Sequence, residues 1–462
     1  MRKNFFLFFV VSFLISCGNR NEANDVVISD TLKFSDLKKG NNIEKGKILS
    51  GIKCQSDSRF TYSLYLPFYY KEGSDLPVII FFDPHAKADL PLQKYKKLSE
   101  KYGYILIASA DSKNGIPTTI YPEIYNAIKK EIKSKYHTNG GRIYCAGFSG
   151  GARVAINIGL SDNEVSGVIA NSAGFEPSRS RIKNDFVFAG VAGNEDFNLL
   201  EQRRTEASLD ELQVKHLLIE FDGKHDWAPE SSMEKIFVFL ESANMLNHIQ
   251  QPNDSLIKIF INSELEILNK QTNNLSRYQK LKEILPLIYN EKSYMDFNNQ
   301  FDKLKSNPEV IRFIKESEEN EAREAVLQRE YYQKFFTESI DWWKAEVKIM
   351  DSHSLPNEKY LMNQRLKSYL SLAVYMTLIS QEAKQDVLLL EKLIEIYSIV
   401  DPSNSEWAYQ KALLRAKQGN LKESELLLLK CMKLGFSDKE RFFSQQEFST
   451  FYSNAGIIGY FK

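Results

Sequence analysis

At 462 residues the chain is longer than a single hydrophobic core sustains, so two or three structural units are expected. Its 60 basic and 60 acidic residues cancel, which removes the basic excess that would argue for a nucleic-acid partner. A hydrophobic share of 43 % is ordinary for a globular protein.

Residues 1–17, MRKNFFLFFVVSFLISC, carry two charges and then an apolar run of about a dozen residues, the length of a signal peptide and too short to remain as a bilayer span. The run ends in Leu14-Ile15-Ser16-Cys17, which resembles the lipobox of bacterial lipoproteins. That resemblance implies lipidation of Cys17, which becomes the mature N-terminus and anchors the chain to a membrane; the alternative is a cleaved secretory signal in which the cysteine is incidental. Residues 18–45, rich in Asn, Asp, Lys and Gly, read as a flexible tether. The expected location is a bacterial membrane, facing the periplasm or the cell surface. Of the other cysteines, Cys54, Cys145 and Cys431 give no complete disulfide framework, and no Cys or His pair has metal-ligand spacing.

Residues 46–246 alternate strand and helix patterns. Lys47–Lys53 and Phe60–Leu66 read as an antiparallel hairpin at a sheet edge. Leu76–Phe82 is a continuous apolar run, as expected of a parallel strand covered on both faces, and it stops at Asp83-Pro84-His85-Ala86. A helix around Leu92–Tyr102, strand Tyr104–Ala108 and helix Tyr121–Lys135 lead to a short strand, Arg142–Ala146. Beyond it come strands over 167–172, 185–192 and 216–221, with helices over 152–160, 199–213 and 233–245. This order predicts an α/β domain with a mostly parallel sheet flanked by helices.

The break after Arg142–Ala146 is Gly147-Phe148-Ser149-Gly150-Gly151. A strand that turns at once into a helix puts the residue at the bend in strained backbone, and small neighbours relieve the crowding. Ser149 is therefore the candidate nucleophile. A serine hydroxyl needs a base, and the base an orienting acid. Of the six histidines, His225 lies in the loop after the last strand, Phe221-Asp222-Gly223-Lys224-His225-Asp226-Trp227, where a base belongs. The others, His85, His137, His216, His248 and His353, fall before the elbow, at a strand start or beyond the domain. The acid should follow strand 185–192, in Gly193-Asn194-Glu195-Asp196-Phe197: Asp196 is preferred and Glu195 stays in reserve. Asp222 and Asp226 read as turn and supporting residues.

One oxyanion donor is the N–H of Gly150 at the helix N-terminus. The second is expected from the N–H of His85 or Ala86, since Pro84 has none; the His85 side chain reads as structural or substrate-lining. Phe148 and Trp227 are candidate pocket linings, with burial in the core as the alternative.

GFSGGARVA, GNEDF and DGKHDW are similar to the elbow, acid and base segments of α/β-hydrolases, in particular exported esterases related to polyhydroxybutyrate depolymerases and feruloyl or acetylxylan esterases. The resemblance implies Ser149, Asp196 and His225 as a triad, Gly150 and the His85 region as the oxyanion hole, no cofactor, and a small-molecule or glycan ester as substrate. It departs at Asp83-Pro84, where relatives often have His-Gly, which puts the second donor in question. A serine peptidase with the same triad is the nearest rival, and a non-catalytic hydrolase-fold scaffold the rival of another class.

After residue 246 glycines become rare and the pattern turns helical: a connecting region over 247–355 and a helical domain over 356–462. Pro402–Phe436 resembles a tetratricopeptide repeat, with Ala412, Gly419, Ser424, Leu428 and Cys431 at its small or apolar positions. An ordinary helical bundle is the competing reading. Either form suits a docking surface for a protein partner or a cover for the active site better than chemistry.

Overall fold

The computed structural model describes residues 31–33, 44–136, 142–246, 254–289, 291–352, 357–380 and 385–461. The leader with Cys17, most of the expected tether, and His137, His248 and His353 lie outside the described residues. Among the described residues no helix is long and apolar enough to cross a membrane. By internal contact the described chain divides into a sheet-bearing unit up to Glu316 and a helical unit from Ser317 onward.

The first unit is built on nine strands: β1 (Thr31–Lys33), β2 (Ile48–Lys53), β3 (Thr61–Tyr65), β4 (Val78–Phe82), β5 (Ile105–Ser109), β6 (Ile143–Phe148), β7 (Val165–Asn171), β8 (Val187–Gly193) and β9 (His216–Phe221). They lie in the order β1-β2-β3-β5-β4-β6-β7-β8-β9. Strand β3 runs antiparallel to β2 and β5, and from β5 to β9 all neighbours are parallel. Strand β1 adds a parallel edge from within the segment expected to be a tether.

All five side chains of β4 are fully buried. Val78, Ile80 and Phe82 enter one core, and Ile79 and Phe81 the other. The two-residue period of a strand thus fills both faces, which is why this strand is apolar throughout. Five such burials together stabilise the fold by on the order of 10 kcal/mol. One face is covered by α2 (Ile120–Lys135) and α3 (Gly150–Ser161), with Ile128 and Ala155 fully buried; the other by α1 (Asp89–Tyr102) and α5 (Glu230–Leu246), with Leu92 and Phe237 fully buried. Between α3 and α5 runs α4 (Leu199–Glu211).

The connecting region expected over 247–355 is shared between the units. Helices α6 (Asp254–Lys270), α7 (Asn274–Ile284) and α8 (Glu291–Lys305) belong to the sheet-bearing unit. Ile257 of α6 and Leu287 of the turn after α7 are buried in the core that α5 helps to build, and Ser242 Oγ of α5 donates to Leu287 O at 2.7 Å. Helix α5 is apolar on more sides than one sheet face can cover, so the chain returns to cover the rest. The division falls within α9 (Pro308–Thr337).

The helical unit packs around Trp343, Leu366, Leu370, Leu393, Ile396, Ala408 and Ala412. Its helices start where short polar side chains satisfy the first N–H groups: Asn404 accepts from Glu406 N, Asn420 from Glu423 N, Asp438 from Arg441 N and Asn454 from Gly456 N. In the hairpin of helices 405–417 and 421–433, Ala412, Ser424, Leu428 and Cys431 are fully buried, and Ser424 Oγ donates to Ala412 O at 2.9 Å. Gly419 turns the chain between them at φ +76°.

Candidate active site

Strand β6 delivers Ser149 to the carboxyl edge of the sheet with φ 53° and ψ −117°, and α3 begins at the next residue. The glycines beside it are required by close approach. A β-carbon at Gly147 would lie 2.2 Å from Gly151 O, and one at Gly151 would lie 1.9 Å from Phe82 O of β4. The helix N-terminus can therefore sit against the neighbouring strand only if both positions are bare.

Three loops meet at this bend. His225, four residues past β9, places Nε2 3.0 Å from Ser149 Oγ. Its Nδ1 lies 2.9 Å from Oδ1 of Asp196, three residues past β8. Asp196 is fully buried, its Oδ1 also accepts from Asn198 N at 2.8 Å, and its Oδ2 has no hydrogen-bond partner among the described residues. The carboxylate thus holds the Nδ1 edge of the ring and leaves Nε2 turned to the serine. Glu195, the reserve acid, points elsewhere, with Lys224 Nζ 3.7 Å from its carboxylate. His225 is held between rings: Phe197 stacks on it at 4.3 Å between centroids and Phe148 is tilted against it at 4.8 Å.

The loop after β4 departs from expectation. Asp83 is buried, and its Oδ1 accepts from His85 N at 2.8 Å and Lys87 N at 3.1 Å, while Oδ2 accepts from Trp227 Nε1 at 2.9 Å. Ala86 N donates to Asp83 O at 3.3 Å. Both N–H groups foreseen as oxyanion donors are thus already given to Asp83, so the second donor is not the N–H of His85. The cause is the aspartate itself, a side chain that gathers the N–H groups two and four residues on. It also ties this loop to the base loop through the indole. The His85 ring is half-buried, and burial, aided by the positive charge of Lys87, pulls its pKa below the usual histidine value against the opposing pull of Asp83.

Two expected lining residues are wall and foundation instead. Trp227 is 3 % exposed and Phe148 6 %. Phe81, Phe148 and Trp227 pack ring against ring beneath His225, so neither candidate has surface to offer a substrate.

Sequence reasoning passed over Asn171, the last residue of β7. It is fully buried, its Oδ1 accepts from Ala228 N at 2.6 Å, and its Nδ2 donates to Asp226 O at 3.0 Å and Ser172 Oγ at 2.8 Å. It clamps the His225 loop just past the histidine, at Asp226 and Ala228. The signal was present: an amide closing an otherwise apolar strand has to be hydrogen-bonded when buried.

No family model matches the chain, and no curated protein matches it. Solved structures do. Fluorophosphonate-binding serine hydrolase F of Staphylococcus aureus is 13 % identical, covering 43 % of this chain and 99 % of its own at a TM-score of 0.35. A ferulic acid esterase is 18 % identical, covering 42 % and 96 % at 0.33. An acylaminoacyl peptidase of Pyrococcus horikoshii is 14 % identical, covering 39 % of each chain at 0.31. The strand order and the elbow between β6 and α3 stand on this chain's own residues: the sheet-bearing unit has the α/β-hydrolase fold, and an all-helical unit follows it.

Proposed function

We propose that this protein is a serine hydrolase acting on carboxylic esters. The observation that carries the reading is the series Ser149 Oγ, His225 Nε2, His225 Nδ1 and Asp196 Oδ1, joined at 3.0 and 2.9 Å at a strained bend. His225 takes the Ser149 proton as Oγ adds to the acyl carbon, and the imidazolium so formed is stabilised by the buried Asp196. Collapse of the tetrahedral intermediate expels the alcohol, which takes that proton from His225. Water, deprotonated by His225 in turn, attacks the acyl-enzyme, and Ser149 leaves with its proton restored. The Gly150 N–H at the start of α3 faces the developing oxyanion.

Ester substituents on glycans and small acyl esters are the substrate class proposed. The lipobox-like Leu14-Ile15-Ser16-Cys17 supports a location outside the inner membrane, with lipid on Cys17 as the proposed anchor and the helical unit proposed as a surface for a protein partner. Labelling by a fluorophosphonate tests the chemistry: wild type should label and Ser149→Ala should not. Folded wild type that neither labels nor hydrolyses a panel of chromogenic acyl esters and acetylated or feruloylated oligosaccharides would show that the triad is idle. Retention in the membrane fraction, lost in Cys17→Ala, tests the anchor.

A further inference from the structure

The oxyanion of a tetrahedral intermediate needs converging donors, and the loop after β4 has surrendered its N–H groups to Asp83. We propose that the side-chain amide of Asn114 supplies the second donor, beside the N–H of Gly150; this rests on the serine-hydrolase reading above.

Asn114 lies between β5 and α2, in a loop with no motif, and the fold pins that loop to the nucleophile. Its N–H donates to Pro84 O at 2.9 Å, and the preceding Lys113 forms an isolated antiparallel bridge with His85. The hydroxyl of Tyr121 donates to Lys113 O at 2.9 Å and holds the other side. So fastened, the amide rests directly on Gly150. A β-carbon there would fall 2.0 Å from Asn114 Oδ1 and 3.0 Å from Nδ2. Gly150 does not lie at positive φ, so what bars a side chain is this amide. The second glycine of the elbow is thus explained by what occupies its space.

The Asn114 side chain has no hydrogen-bond partner among the described residues and is half-buried, so it is uncommitted until substrate arrives. The two ends of an amide have the same shape, and half a turn about χ2 exchanges oxygen for the donating nitrogen. The Gly150 N–H has no acceptor within its own helix, because the first N–H groups of a helix never do. Two donors, the backbone N–H of Gly150 and the side-chain amide that rests on that residue, then face the carbonyl oxygen of an acyl group bonded to Ser149 Oγ.

The test uses the full chain with p-nitrophenyl acetate as substrate and a trifluoromethyl ketone, whose hemiketal with serine carries an oxyanion, as inhibitor. Asn114→Ala should lower kcat about hundredfold to thousandfold, leave KM within about twofold, and weaken the ketone by the same factor as kcat/KM. Asn114→Asp keeps the shape and folds alike, yet places a carboxylate against the oxyanion, so it should lose at least as much at pH 8. Gly150→Ala should match Asn114→Ala, and the double variant should be no worse than either, since removing the amide makes room for the methyl. A kcat in Asn114→Ala within about threefold of wild type, or full activity in Asn114→Asp, overturns the proposal while the triad stands. Wild type that neither turns over nor labels would fail the hydrolase reading, and the donor assignment falls with it.

Discussion

The two units of this chain differ in where their polar groups meet, although each leaves a buried polar atom without a hydrogen-bond partner among the described residues, Trp343 Nε1 in the helical unit and Asp196 Oδ2 in the sheet-bearing one. In the helical unit buried charge is matched where it lies: Arg365 donates from Nε to Glu324 Oε2 at 3.0 Å with both side chains buried, and Arg441 grips Glu406 with both nitrogens at 2.8 and 2.6 Å. Helix ends are closed by the chain's own Asn and Asp. In the sheet-bearing unit, groups from separate loops converge at one edge and stay partly unspent, among them Asp196 Oδ2 and the Asn114 amide. Backbone strain follows the same division. Among the described residues the non-glycine residues at positive φ are Ala86, Ser149, Ser172 and Gln213, all in the sheet-bearing unit, and the first three stand just past β4, β6 and β7. The helical unit reserves such angles for Gly419 and Gly435. Backbone strain persists where a surrounding sheet over-determines the geometry, and here it gathers at the ends of the strands that carry the candidate site.

The contrast breaks most decisively at Ser149. Ser149→Ala should cut ester turnover about 10⁴–10⁶-fold with no loss in thermal stability, whereas Ser149→Gly, equally inactive, should gain about 1 kcal/mol by releasing the φ of 53°. A strained serine that proves no less stable than its glycine replacement would dissolve the distinction. Next, Asp196→Asn should lower kcat by about 10⁴, because an amide cannot hold the ring in the right tautomer or stabilise its charge. Steady-state kinetics with a chromogenic ester would measure it.

In the helical unit the expectation is a stability effect without a kinetic one. Arg365→Met strands the buried Glu324 carboxylate and should cost about 3–5 kcal/mol in denaturant unfolding, while kcat per folded molecule holds; Arg365→Met with Glu324→Leu should recover most of the loss. A proportionate fall in kcat would mean that the pair serves turnover as well as packing.

The smallest effect sharpens the account of the sheet-bearing unit. Lys215, before β9, has a buried Nζ with no partner among the described residues, and burial lowers its pKa from 10.5 to about 8. Below pH 8 both folded and unfolded chains hold the proton and the fold bears the desolvation cost. Between pH 8 and 10.5 the unfolded chain holds more protons, so stability rises with pH across that window. Lys215→Met should therefore stabilise the protein by about 1–2 kcal/mol at pH 7, with the advantage vanishing by pH 10.5. An advantage independent of pH would place the cause in packing and not in charge.

The parts of the fold legible in advance were those written locally. The apolar run at β4, the small residues around Ser149 and the strand-to-loop position of His225 each carry a signal within a few neighbours. What failed to show was pairing across the chain. Asp83 and Trp227 are 144 residues apart, and nothing near either announces that an indole and two backbone N–H groups will meet on one carboxylate. Phe148 and Trp227 looked like pocket because aromatic residues next to a nucleophile and a base are ambiguous until their burial is known.

The sequence by itself determined the alternation of strands and helices, the residue at the elbow, and the two loops from which its partners come, because periodicity, turn chemistry and steric exclusion act over one element at a time. Tertiary structure alone decided that Asp196 and not Glu195 faces His225, that Asp83 takes the N–H groups once assigned to an oxyanion, and that Asn114 rests on Gly150. Each of those depends on distances of a few ångströms between segments that meet only after the sheet has closed, and no local pattern encodes such a distance.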